Sequence, residues 1–296
     1  MIFDHVLLVG FGGPEKPEEV WPFLLKLTEG TRIPEARLRV VAGHYEETGG
    51  FSMYNRHARQ LASRIQPGLP VFLGMRAWTP FLHDVVREIA AKGLRCGLAI
   101  VLAPHRSEAS FGRYETALQA ACRDTGIEYA YLRSWHRHPL FVEAQTDRAK
   151  PLLRQEPQAR LVFTAHSIPV EMARASSYEA EFQETSRLVA AALDVSGWSV
   201  AYQSRSGPPQ QPWLEPDLLN ELPRLRSEGA RAVVVVPAGF LFDHTEVVYD
   251  LDIQAKQAAE RQDLKFLRAP TVMDHPSFVR MFEELIQEQT TEGARR

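Results

Sequence analysis

Short, nearly uninterrupted apolar runs alternate with longer amphipathic ones along the whole chain, and this alternation limits the fold more than any other feature of the sequence. The apolar runs at 6–11, 71–74, 97–102, 128–132, 160–165, 199–203, 232–236 and 265–267 read as strands. Several are rich in Val, Ile and Leu without polar alternation, the pattern of strands covered on both faces. Helical periodicity runs between them, over 18–28, 57–65, 81–92, 140–154, 179–193, 218–228, 245–261 and 277–289. Such alternation predicts parallel sheets joined by right-handed crossovers. Four strands fall on each side of residue 150. The expected fold is therefore α/β with two Rossmann-like lobes, 1–150 and 151–296. Each is a four-stranded parallel sheet flanked by helices, with the C-terminal helix free to pack on the first lobe.

In sheets of this kind ligands bind beyond the carboxyl ends of the strands. Gly10-Phe11-Gly12-Gly13-Pro14 and Ala103-Pro104-His105 follow strands of the first half. Ala165-His166-Ser167-Ile168-Pro169, Gln203-Ser204-Arg205-Ser206-Gly207 and Pro237-Ala238-Gly239-Phe240 follow strands of the second. A cleft between two lobes would collect these loops.

Composition removes several classes. With 34 basic against 37 acidic residues and a net charge of -3, no basic face suits a nucleic acid. Two cysteines, Cys96 and Cys122, can form neither a four-thiolate zinc site nor an iron–sulfur cluster within one chain. The longest apolar stretch, 232–242, is broken by Pro237 and Gly239 and falls short of the ~18 residues of a spanning helix. The start of the chain does not read as a signal peptide. A cytoplasmic protein is expected, with peripheral membrane attachment left open.

The glycine-rich turn at 10–14 is not a dinucleotide fingerprint, and Pro14 removes an N–H that a phosphate cradle would use. It reads as a tight turn, or as a loop that lets a flat ligand approach Phe11. His166 closes an apolar strand. There it can take a proton near neutral pH or offer a lone pair to a metal; a hydrogen-bonded structural histidine explains the segment equally well. Asp243 and Glu246 fit a helix N-cap and capping box. Yet Glu246 and Asp250 stand four apart and share a helix face. Like charges one turn apart repel unless a cation or proton is shared. Asp252 is expected to point elsewhere, into solvent, and His244 to be a solvated residue at the helix start. Aromatic and thioether residues near strand ends, Phe11, Met75, Tyr114 and Trp213 among them, suit either core packing or a large planar ligand.

Taken together, these segments resemble the ferrochelatase family. The matching pieces run in family order from residue 7 to about 256. They include Leu7-Leu8-Val9-Gly10-Phe11-Gly12-Gly13-Pro14, Gly49-Gly50-Phe51-Ser52, Gly74-Met75-Arg76, Phe163-Thr164-Ala165-His166-Ser167-Ile168-Pro169, Tyr202-Gln203-Ser204-Arg205, Pro212-Trp213-Leu214-Glu215-Pro216-Asp217 and Asp243-His244-Thr245-Glu246. The resemblance implies a chelatase-like fold and a lyase of heme biosynthesis that inserts ferrous iron, its substrate, into a porphyrin. No cofactor is expected to be tightly bound, and no iron–sulfur cluster. His166 falls on the family's catalytic histidine and Glu246 on its facing carboxylate, both also candidate metal ligands. Asp250 falls on the acidic path leading away.

The segments at 27–34 and 203–217 look most like the bacterial branch that uses coproporphyrin III. Protoporphyrin IX is the alternative substrate, and a non-catalytic tetrapyrrole carrier a more remote one. By resemblance Phe11, Ser52, Met75, Tyr114 and Trp213 contact the porphyrin, with Ser52, Tyr114 and Arg32 as candidate propionate donors. Phe11 stands where some members carry a tyrosine, so a phenol ligand is missing there, and Gln254 replaces a glutamate of an outer metal site. The implied partners are porphyrin and ferrous iron, met by a monomer. Transient contact with a membrane or another heme-pathway enzyme is compatible with the family.

Overall fold

The computed structural model describes residues 2–30, 33–208 and 210–295. The chain divides into two compact units. One comprises Met1–Leu102, Ala109–Ser134 and Met273–Arg296; the other comprises Ala103–Glu108 and Trp135–Val272. Each holds one parallel four-stranded sheet. In the first unit β1 (His5–Gly10), β2 (Val71–Met75), β3 (Cys96–Val101) and β4 (Glu128–Leu132) run in the order β2-β1-β3-β4. In the second, β5 (Arg160–His166), β6 (Trp198–Gln203), β7 (Ala232–Val236) and β8 (Lys265–Arg268) run in the order β6-β5-β7-β8. The two sheets thus repeat one topology. The strand expectations hold at every run: β1 and β7 are buried at every position and, His5 apart, carry no polar side chain.

That strand order fixes where a ligand can sit. From β5 the chain crosses to β6 on one side, then returns to β7 on the other side of β5. The loops leaving β5 and β7 therefore diverge, and the crevice beyond their carboxyl ends is the topological switch point of the unit. Its core is formed by Leu161, Phe163, Val234 and Val236 on one sheet face and Val162, Val233 and Val235 on the other.

The unit boundary lies at 134/135 rather than at 150. Helix Pro139–Gln155 belongs to the second unit because Leu140, Phe141, Ala144 and Ala149 are buried and its apolar side joins the core beneath β5 and β7. The segment Ala103–Glu108 is held there too: His105 is 1% exposed, its Nε2 lies 3.1 Å from Thr185 Oγ1, and Arg106 binds the buried Glu181. The terminal helix Pro276–Arg295 belongs to the first unit, where Phe278, Met281 and Phe282 are buried and Arg64 Nη1 meets Asp274 Oδ2 at 2.7 Å.

Helices Glu35–Glu47 and Arg113–Cys122 were not evident from periodicity. The first buries only Leu38 fully, with Val41, Ala42 and Tyr45 half-covered against the cluster around Phe23; the second is entered through a π-turn, Glu108–Gly112. The expected helix 245–261 is one α-turn (Thr245–Val247), a π-helix (Val248–Ala255) and a short α-helix (Lys256–Glu260). Among the described residues, no helix is long and apolar enough to cross a membrane.

Candidate active site

His166 is the last residue of β5 and pairs in register with Gln203 of β6. Its Nδ1 lies against the Ser167 carbonyl. A carbonyl can only accept, so the proton sits on Nδ1 and Nε2 is left to carry the chemistry. The backbone behind it is fixed, since the buried Tyr178 donates its hydroxyl to the His166 carbonyl at 2.8 Å.

Glu246 follows β7, the neighbour of β5, and its Oε1 stands 3.6 Å from His166 Nε2, with side-chain exposures of 48% and 32%. Two ligands of one tetrahedral ion at ordinary bond lengths would be about 3.4 Å apart. The gap is too long for a direct hydrogen bond and suits a small divalent cation between the two groups. Among the described residues, no group of three or more His, Cys, Asp or Glu side chains gathers closely enough to hold a metal ion. The pair is a two-donor site, apt for an ion that must be passed on.

Burial by itself would lower the His166 pKa; the facing Glu246 carboxylate, the Ser167 carbonyl and Asp250 outweigh it, and the imidazole is held above its ordinary value. Asp250 is pushed up to about 6, first by burial and then by the Glu246 charge, against the hydrogen bonds from Ser204 and Gln203 and the His166 charge. Ser204 Oγ donates to Asp250 Oδ2 and Gln203 Nε2 reaches the same oxygen at 3.3 Å. Ser204 sits at φ +63°, a conformation costly for a serine and tolerated where its neighbours over-determine it.

Three expectations around this segment are corrected. The helix N-cap is His244, with no side-chain cap bond, and Asp243 instead binds Arg268 Nη1 at 2.9 Å and the Thr271 amide at 3.2 Å. Asp252 is not simply solvated, because Arg268 grips both its oxygens, at 2.9 and 2.6 Å. His244 is half-buried, edge-on to Phe240 at 5.5 Å, and burial lowers its pKa.

Trp213 lies in the same unit. Its half-buried indole covers Gly207, where any side chain would collide with the ring. The loop around it is tied to the continuation of β5: Leu214 N donates to the Ile168 carbonyl at 3.0 Å and Ser167 Oγ to the Leu214 carbonyl at 2.9 Å.

The other candidates group in the first unit. Met75 is fully buried and fills the space over Gly10 and Gly12. Ser52 is buried against Gly13. These two side chains pack against the glycine turn that carries Phe11, whose amide donates to Tyr54 Oη at 2.9 Å. Tyr114 is buried, and the Arg76 guanidinium lies between it and Phe11, 5.4 and 5.2 Å from the ring centres. Arg76 was not among the expected site residues. The only hint in the sequence was a cation directly after a buried strand end. Arg32 lies outside the described residues. A cavity of about 500 Å3 opens nearby, lined by Val20, Trp21, Arg39, Ala42 and Tyr45; its wall shares Val20 with the cluster that holds Phe11.

With this geometry established, known proteins offer a comparison. The family model Ferrochelatase matches residues 4–290. The coproporphyrin III ferrochelatase of Frankia alni is 42% identical over 308 residues, covering 96% of this chain and 79% of its own. That of Mycolicibacterium smegmatis is 41% identical, covering 97% and 90%. Among solved structures, SirB from Bacillus subtilis with Fe3+ superposes with a TM-score of 0.62 at 12% identity, covering 99% of this chain and 97% of its own. CbiX, the terminal enzyme of siroheme biosynthesis in denitrifying bacteria, superposes at 0.56 and 15%, covering 96% and 98%. At such identities the two structures speak to the fold alone.

Proposed function

The chain belongs to the ferrochelatase family, and from that premise we propose that it inserts ferrous iron into coproporphyrin III to give coproheme, with His166 and Glu246 handling the metal and the pyrrole protons. The observation that carries this reading is the 3.6 Å approach of His166 Nε2 to Glu246 Oε1 at the switch point of one sheet. Coproporphyrin is favoured over protoporphyrin because relatives of 41–42% identity over nearly the whole chain are coproporphyrin III ferrochelatases.

Metallation replaces two pyrrole N–H protons by one Fe(II), so two protons must leave as the ion sheds water. With Nδ1–H held by the Ser167 carbonyl, His166 Nε2 accepts one proton or donates its lone pair to iron. Glu246 supplies a hard oxygen donor or the next proton acceptor. Asp250, with its carboxyl poised near 6, takes the charge onward. The macrocycle must also bend so that its nitrogen lone pairs leave the ring plane, a strain of a few kcal/mol drawn from binding energy elsewhere on the ring. Phe11, Tyr114 and Trp213 are the proposed apolar contacts for that purpose. No resident cofactor is needed. A monomeric cytoplasmic enzyme is the corresponding proposal, in keeping with two unpaired thiols.

The deciding experiment is anaerobic incubation of the protein with ferrous iron and either coproporphyrin III or protoporphyrin IX, followed by absorption spectroscopy. Metallation of coproporphyrin well above the protein-free rate is expected. No acceleration with either ring overturns the enzyme reading, and a preference for protoporphyrin overturns the choice of substrate.

A further inference from the structure

We propose that Arg268 is a positioning residue for Glu246, holding the π-helical segment in the one arrangement that keeps the carboxylate on His166. Arg268 is the last residue of β8. Its Nε and Nη2 bind the two oxygens of Asp252, and its Nη1 binds Asp243 Oδ1. Asp243 precedes Glu246 by three residues, and Asp252 follows Asp250 by two. One guanidinium therefore fastens both ends of the stretch that carries the two candidate acids.

The stretch needs such a fastening. A π-helix is rare and occurs mostly as single-turn bulges, frequently at functional sites, so the eight-residue run Val248–Ala255 is an unusual form for the chain to hold. Four carboxylates, Asp243, Glu246, Asp250 and Asp252, also lie within ten residues, and without a cation they would push apart. The planar fork of arginine grips Asp252 with two parallel N–H groups while a third serves Asp243, a geometry that the point charge of lysine reproduces only in part. The guanidinium is only 13% exposed, so its ion pairs are less screened by solvent than surface pairs. Asp252 is the more exposed partner, at 36%, and gives the milder handle for a test.

The kinetic part of the test rests on the proposed metallation activity. Arg268→Gln, Arg268→Lys and Asp252→Asn are compared with the wild type for iron insertion and for amide hydrogen exchange. A sub-ångström shift of a reacting group costs tens-fold in rate, so Arg268→Gln is expected to lower kcat about 10- to 100-fold with the porphyrin KM within about twofold. Exchange should rise across 245–255 and stay unchanged in the rest of the unit. Arg268→Lys should recover part of kcat. Wild-type kcat in Arg268→Gln overturns the proposal; so does a loss accompanied by faster exchange throughout the unit, the mark of a merely structural residue. Should Arg268→Gln fail to fold, Asp252→Asn decides, with a several-fold fall in kcat at unchanged KM supporting the clamp and an unchanged kcat overturning it. If the wild type does not metallate a porphyrin, the functional reading fails by itself, and local exchange at 245–255 still decides whether Arg268 holds the segment.

Discussion

His166 Nε2 and Glu246 Oε1 stand 3.6 Å apart, although one residue closes β5 and the other lies beyond the end of β7. Their meeting follows from strand order: β5 and β7 are neighbours, and the chain diverges from their carboxyl ends in opposite directions.

His166→Ala removes the Nε2 lone pair of a side chain that is one-third exposed, with Nδ1 on the adjacent Ser167 carbonyl and Nε2 facing Glu246. Loss of a general base costs about 10²–10⁴-fold. Turnover should fall by at least about 100-fold, while coproporphyrin binding, followed by fluorescence quenching, stays within about threefold of wild type. Lost binding would give His166 a structural role instead.

Glu246→Gln separates chemistry from architecture. Glu246 is half-exposed and glutamine keeps its size and shape, so the melting temperature at neutral pH should hold while kcat drops. The His166 pKa should also fall, because Glu246 is the chief group opposing burial there. A group whose folded pKa is raised contributes stability that is complete below its unfolded value, about 6.5 for histidine, and is lost as pH climbs through the folded pKa. NMR titration of the His166 ring in both proteins checks the shift.

Asp250 sets the acidic limb of the rate profile. Its carboxyl is raised to about 6 by burial and by Glu246, so its acceptor form fills as pH rises through that value. The rate should rise over the same range, and Asp250→Asn should abolish that limb. The stability sign is opposite to the activity sign. A raised carboxyl contributes stability in full below its unfolded pKa, about 4, and loses it on ionising near 6. Asp250→Asn should therefore melt above wild type at pH 8 and close to it at pH 4. Thermal melts at the two pH values decide the point.

The strands were legible because β1, β3, β5 and β7 are buried on both faces along most of their length and so carry mostly apolar residues without polar alternation. His166 stood out as a polar residue closing such a run, and the family resemblance, not the run alone, separated a catalytic role from a structural one. The supports of the site were not. Arg268 gives no sign in the sequence of its bonds to Asp243 and Asp252, and apolar periodicity cannot tell an i→i+5 helix from an i→i+4 one over Val248–Ala255. Arg76 was missed for the same reason: its aromatic neighbours, Phe11 and Tyr114, come from distant parts of the chain.

Tyr178→Phe probes the far side of His166. The buried hydroxyl donates to the His166 carbonyl, so removing it leaves a carbonyl without that donor at a cost of about 1 kcal/mol. A fall of a few degrees in melting temperature is expected, with a several-fold loss in kcat and an unchanged KM for porphyrin. An unchanged kcat would confine Tyr178 to the core.

Gly239→Ala strikes the same strand end from the β7 side. The Gly239 amide donates to the Thr164 carbonyl at 2.9 Å, and a Cβ there would lie 2.5 Å from Ala165 Cβ and 2.7 Å from Ala165 Cα. Its conformation is one that any residue adopts, so glycine is required here by close approach rather than by backbone freedom. Ala165 immediately precedes His166, and neither clashing atom is the end of a flexible side chain. Relief requires the end of β5 to move, which should cost about 1–3 kcal/mol in a packed core and carry the imidazole away from Glu246. The double variant Gly239→Ala/Ala165→Gly removes the Cβ–Cβ clash and should recover part of both melting temperature and kcat, a coupling that a thermodynamic cycle measures directly. Strictly additive effects of the two substitutions would show that this contact does not align His166.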